Sequence, residues 1–145
     1  MLKEILSIGG KPGLFKLVSQ GKNMLIVESL VDGKRIPTYS RDKVVSLGDI
    51  AIFTETSEVP LGEVFKNILA KENGKEASIE AKSENDVLRS YMADILPEYD
   101  RDRVYPSDIR KMILWYNLLI KNNITDFSQE EKIDEKEEVV SEKNK

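Results

Sequence analysis

Apolar residues along the chain change their spacing once, near residue 55, from short alternating runs to stripes at helical intervals. The densest stripe joins Ile109, Met112, Ile113, Tyr116, Leu119 and Ile120, with Trp115 and Leu118 widening one flank. A stripe this broad predicts a helix buried on more than one side, and it reads as core rather than as a ligand box. Ser107 is the expected N-cap, because its hydroxyl can accept from a free N–H of the first turn. Pro106 holds Tyr105 extended, so the helix cannot begin earlier. Asp108 and Lys121 suit the two ends of the helix dipole. Asn122-Asn123 supplies a left-handed stop, after which Ile124 packs back on the last turn. A second helix is expected from Ser83, its cap, to Pro97, its stop, burying Val87, Leu88, Tyr91, Met92, Ile95 and Leu96. It is placed to pair antiparallel with the 108–121 helix. A third begins at Val59-Pro60, buries Leu61, Val64, Phe65, Ile68 and Leu69, and ends at Asn73-Gly74.

Before residue 55 the pattern is one of short extended segments. Met1–Ile8 has Leu2, Ile5 and Leu6 at helical spacing and predicts a short helical turn. Gly9-Gly10-Lys11-Pro12-Gly13 is a turn; the spacing of a phosphate-binding P-loop is not met. Strands are expected at 14–19, 24–30, 34–39 and 49–54. Asp32-Gly33 marks a hairpin between the second and third. Pro37 restricts the third to an edge or a bulge. Residues 41–47 read as a loop or single turn. Short strands with tight turns in about fifty residues suit a strongly bent SH3-like antiparallel barrel, since a flat sheet of that size would leave its edges open. The expected class is therefore α+β: a small SH3-like barrel (1–55), a connector with one helix (56–82), a helical hairpin (83–125) and a disordered acidic tail (126–145). Within the connector, Ala77, Ile79 and Ala81 alternate as a short extended piece would.

Composition narrows the chemistry. The 145 residues contain no cysteine and no histidine. Disulfides, thiolate zinc sites and cysteine nucleophiles are excluded, as is any mechanism built on imidazole. No run approaches the roughly 20 apolar residues that span a bilayer, so a soluble cytoplasmic protein without membrane contact is expected. The net charge of −4 is unevenly spread. Residues 1–54 carry eight Lys/Arg against five Asp/Glu, 55–125 ten against thirteen, and 126–145 four against eight. A global basic footprint for nucleic acid is missing.

The loop Glu98-Tyr99-Asp100-Arg101-Asp102-Arg103 offers carboxylates for a hard cation, but an EF-hand register fails at Val104 and Tyr105. A network of alternating charges, Asp100, Arg101, Asp102 and Arg103, tying the loop to neighbouring helices is expected instead, with no metal and no cofactor.

Taken together, Gly10-Lys11-Pro12-Gly13-Leu14-Phe15-Lys16-Leu17-Val18-Ser19, Ile26–Leu30, Asp49–Phe53, Asp100–Tyr105, Ser107-Asp108-Ile109 and Trp115–Leu119 resemble a family of small Bacteroidetes proteins. Its members pair an N-terminal domain of unknown function with a C-terminal helical one. The resemblance covers residues 1–125 and implies the two-part organisation; it implies no catalytic or binding residue.

The function expected from the residues is that of a non-enzymatic binding or adaptor module. Lys16, Lys22, Lys34, Arg35, Arg41 and Lys43 give the barrel its positive balance, with Tyr39 and Phe15 as stacking surfaces. Aromatic rings beside cations suit RNA or single-stranded nucleic acid, with a protein partner as the other choice. Two alternatives stand beside it: a divalent-metal-dependent enzyme using the carboxylates near Asp100, and a structural subunit of a larger assembly.

Overall fold

The computed structural model describes residues 2–39 and 41–127. Its first half is a five-stranded antiparallel sheet built from β1 (Ile5–Ile8), β2 (Phe15–Gly21), β3 (Met24–Ser29), β4 (Arg35–Tyr39) and β5 (Val44–Ser46). The strand order is β4-β3-β2-β1-β5, a meander whose last strand returns to pair with the first. Ile36 of β4 and Val44 of β5 lie on opposite edge strands, yet both pack on one cluster of Leu6, Ile8, Phe15 and Val27. One face of all five strands thus gathers a single small core, and the sheet with this strand order has the arrangement of an SH3-like barrel. A bulge between Leu17 and Ser19 helps bend β2. Pro37 sits on the edge strand β4, where a missing N–H breaks no ladder.

The other half comprises a two-stranded ladder, β6 (Ala51–Phe53) with β7 (Glu58–Pro60), and three helices, α1 (Leu61–Lys71), α2 (Asn85–Ile95) and α3 (Pro106–Lys121). Barrel and helices share one core. Leu2, Ile5, Leu14 and Leu47 from the first half pack with Leu61, Phe65, Met92, Ile113 and Tyr116 from the second. Strand β1 is buried on both faces: Ile5 points to the helices, while Leu6 and Ile8 point into the barrel. The two ends of α3 are tied to their surroundings. Asn122 Nδ2 donates to the Leu30 carbonyl in the β3–β4 connection at 3.1 Å. Earlier in the helix, Arg110 donates to the Ala81 and Ser83 carbonyls at 2.9 and 3.2 Å, Asn117 accepts from the Ala77 N–H at 2.8 Å, and the Tyr116 hydroxyl donates to Lys75 at 2.7 Å. These bonds strap segment 72–84 across the helices; it forms no strand, and Ala77, Ile79 and Ala81 pack as partly buried apolar contacts.

Several local expectations are corrected. Residues 2–4 form a 3-10 turn, but Ile5–Ile8 is strand rather than helix, because both faces of that run are covered. The segment read as a loop at 41–47 contributes the closing strand, β5. The strand expected at 49–54 as the last of the barrel set instead leaves the barrel, as β6, and pairs with β7. Between them Gly48 allows a close approach: a Cβ there would lie 3.0 Å from the Lys3 backbone. Val59-Pro60 is the end of β7, and α1 starts one residue later with Pro60 as an extended cap. The cap of α2 is Glu84 rather than Ser83, and Val87 is exposed. Helix α3 starts at Pro106, so Ser107, expected as the cap of a helix from 108, lies inside it. Pro106 occupies the first helical position, where no N–H is needed. Its cap Tyr105 donates an N–H to the Asp108 carboxylate at 3.0 Å.

The stops behave as their residues dictate. Asn73 and Gly74 adopt positive φ after α1, and Asn123 (φ 60°) does so after α3, where the Ile124 N–H returns to the Leu119 carbonyl at 2.9 Å. Phe127, read from the sequence as part of the acidic tail, is buried. Its ring lies 5.4 Å from Phe65 and 6.2 Å from Tyr116, completing an aromatic triad. Residues 128–145, for which disorder was expected, lie outside the described residues.

Candidate functional site

The cations expected to form a binding surface on the barrel lie in two separate places. Lys16 on β2 and Arg35 on β4 are both cross-strand neighbours of Glu28 on β3. Arg35 is drawn into an ion pair with Glu28 at 3.1 Å. A row of alternating charge results, with Lys34 exposed beside it. At the far end of β4, the Arg41 guanidinium covers the Tyr39 ring at 4.8 Å, and the Tyr39 N–H is taken by Asp42 at 2.8 Å. Arg41 therefore covers one face of the ring and competes there with any stacked base. Phe15 is buried in the barrel and offers no stacking surface, a correction to the sequence reading. Lys43 sits behind the glycine turn, its carbonyl accepting from the Gly9 N–H at 2.8 Å.

In the charged loop, Asp100 is fully engaged. One carboxylate oxygen accepts from the Asp102 and Arg103 N–H groups at 2.9 and 3.2 Å, the other from Arg103 Nε at 2.8 Å. The Arg103 side chain and the Asp102 N–H thereby hold the Asp100 carboxyl below its ordinary range. Arg103 also stacks 4.2 Å from the Phe53 ring, and the Asp100 N–H donates to the Phe53 carbonyl at 3.0 Å. Arg101 turns to the Pro97 and Tyr99 carbonyls and covers the Tyr99 ring. The loop is thus fastened to β6, rather than to neighbouring helices as expected. Among the described residues no three acidic side chains converge as a metal site would require.

A different surface emerges between the barrel and α3. A groove of about 830 Å³ runs between the Gly9–Gly13 turn and the outward flank of α3. Val31 from the β3–β4 connection, Val45 from β5 and Leu114 from α3 converge on it and are 65%, 46% and 56% exposed. Trp115 and Leu118 form its floor, half-buried. A hollow of about 260 Å³, ending at Phe53 and Arg103, continues it and shares Ile50, Lys111 and Trp115. Apolar side chains brought together from three elements and left open to water are unusual on a chain that needs no partner.

Local structure holds the walls in place. Gly10 and Gly13 both take φ of 80°, which a side chain would resist. A Cβ on Gly13 would meet Val31 at 2.7 Å and Leu118 at 3.7 Å, so turn, hairpin and helix meet at this glycine. Three lysines, Lys11, Lys111 and Lys121, line the groove, and among its described lining residues there is no carboxylate. Lys121 lies 3.9 Å from Glu76, with both side chains exposed to solvent, a weak pair. The groove is positive on a chain of net charge −4.

None of these groove residues was singled out as a site from the sequence. The signal was present for α3, where Trp115 and Leu118 made the stripe too wide for one neighbour; the flank read as buried is in fact half-open. Nothing local marks Val31 or Val45.

An SH3-like barrel sharing its core with three helices defines the class. Two family models match in tandem: domain of unknown function DUF5606 over residues 2–47, and domain of unknown function DUF6852 over 50–119. The chain is 58% identical to a Bacteroides vulgatus protein whose solution NMR structure was a structural-genomics target. The alignment covers 88% of this chain and 91% of that one, with a TM-score of 0.73. The chain belongs to this Bacteroidetes family, which joins the two domains. No curated protein matches it. No described helix is long and apolar enough to cross a membrane.

Proposed function

We propose that this protein is a non-enzymatic docking module that holds a segment of a protein partner in the groove between the glycine turn and α3. The carrying observation is the convergence of exposed Val31, Val45 and Leu114 on one lysine-lined groove. The partner segment it fits presents aliphatic side chains flanked by carboxylates: the aliphatic groups gain by leaving water, and the carboxylates meet Lys11, Lys111 and Lys121. A protein partner is favoured over nucleic acid because the barrel's cations are split, Arg35 is paired with Glu28, and Tyr39 is covered by Arg41. A carboxylate-based enzyme is disfavoured by the commitment of Asp100 to Arg103 and to backbone N–H groups.

The immobilised full chain, exposed to native lysate with and without nuclease, tests this. A protein should be retained regardless of nuclease, retained equally by Lys34→Glu/Arg35→Glu, and lost with Val31→Asp/Leu114→Asp. Recovery that nuclease abolishes, or that the groove variant leaves intact, would overturn the reading.

A further inference from the structure

We infer that the groove has an occupant within the same chain: the acidic segment 128–145, folded back over the outward flank of α3. The inference rests on the docking reading and names what regulates it. Its chemistry is that demanded by the groove. Residues 128–145 carry seven Asp/Glu against four Lys, and their large apolar residues, Ile133, Val139 and Val140, stand next to carboxylates, with Asp134 after Ile133 and Glu138 before Val139. The groove offers the complement, apolar walls with three lysines and, among the described lining residues, no carboxylate. The barrel edge lacks that pairing, since its exposed cations are interleaved with Glu28 and Asp42.

Geometry permits the return. Phe127, the last described residue, is fastened by Phe65 and Tyr116 against the inner flank of α3, the same helix whose other flank floors the groove. A helix with side chains is about 10–12 Å across. Eighteen residues reach up to about 60 Å when extended, enough to round α3 and run its length. Because the segment is tethered, a modest intrinsic affinity suffices to fill the groove. A partner must then displace it, and phosphorylation or salt that alters the charge balance shifts the competition.

The absence of cysteine makes the test clean, since Ser141→Cys in the full chain accepts a single spin label. Paramagnetic broadening of amide signals should fall on Gly9–Gly13, Leu114 and Leu118. It should weaken at high salt, with Val139→Ser/Val140→Ser, and with Leu114→Asp, whose spectrum otherwise reports an intact fold. Unlabelled isotope-enriched chain mixed with labelled chain should show no broadening. Groove signals of full intensity in the labelled chain, or broadening that survives Leu114→Asp, would overturn cis occupancy. So would broadening in the mixed sample, which assigns the groove to a second copy's segment. If the label leaves the groove untouched while Val31→Asp/Leu114→Asp still loses the partner, only the cis occupant falls. If the label marks the groove while that variant keeps the partner, the partner's docking site falls instead.

Discussion

The two flanks of α3 are made of similar residues in different circumstances. Inward, Ile109, Met112, Ile113, Tyr116 and Leu119 are buried, and the Tyr116 ring closes on Phe65 and Phe127. Outward, Leu114, Trp115 and Leu118 meet the barrel only at their edges and leave a groove. The inner flank is roofed by strap 72–84, whose backbone groups are met by Tyr116, Asn117 and Arg110. The outer flank faces the β3–β4 connection, the glycine turn and Val45 of β5 across the groove, and is held by the Asn122–Leu30 bond and by close packing at Gly13. Burial in the inner flank stabilises the fold. Exposure in the outer flank leaves apolar area whose free energy is available for binding.

The contrast can be broken most sharply at Phe127. Phe127→Ala should cost about 3–5 kcal/mol in urea unfolding, as the loss of a packed aromatic from a core does. A cost below about 1 kcal/mol would show that the triad adds little and that the inner flank ends earlier.

Next in size is Gly13→Ala, which forces a side chain into positive φ against Val31. A loss of about 1–2 kcal/mol is expected, together with changed Trp115 fluorescence as the groove shifts. Unchanged stability and emission would mean that the wall is not set by this glycine.

The roof of the inner flank should respond to pH. Burial alone would raise the Glu72 carboxyl, but the Tyr91 hydroxyl at 2.5 Å and the Ser78 N–H and hydroxyl at 2.9 Å hold it below its ordinary value. A carboxyl depressed by folding contributes above its unfolded value and loses that contribution as pH falls through the acid range. Tyr91→Phe should therefore flatten the acid limb of stability between about pH 5 and about pH 3. On the alkaline side, burial first and Glu72 second push the Tyr116 hydroxyl from 10.0 up to about 12. Both states keep the proton below 10.0, so stability should fall from there to about 12, where the folded form also ionises. An alkaline limb that is flat until the fold collapses would count against a buried Tyr116.

The smallest effect on stability belongs to the outer flank. Leu114→Asp should stay within about 0.5 kcal/mol of the parent in unfolding while abolishing partner retention. A loss of several kcal/mol would move Leu114 into the core and erase the distinction between flanks.

Legibility from sequence followed how local each signal was. The stripes of α1, α2 and α3, the stops at Asn73-Gly74 and Asn122-Asn123, and the edge position of Pro37 were readable because a few neighbouring residues carry them. Strand β5 was not, since Val44-Val45-Ser46 is too short to show a period and is preceded by charged residues. Phe127 was missed for a related reason: a single aromatic before a run of glutamates makes no pattern, although it is one of the most deeply buried side chains described. The basic surface proposed on the barrel failed to cohere because sequence proximity did not reveal Glu28 lying between Lys16 and Arg35, or Phe15 turning inward.

By itself, the sequence determined which face of each helix is apolar, where the helices stop, and that cysteine and histidine chemistry is closed to this protein. Tertiary structure decided which strand completes the barrel, where Phe127 goes, and which flank of α3 stays open. Periodicity records how a segment is divided between oil-like and water-like sides, a property of residues a few positions apart. What covers the oil-like side depends on elements such as Val31, Val45 and Leu114, which meet only when the whole chain has packed.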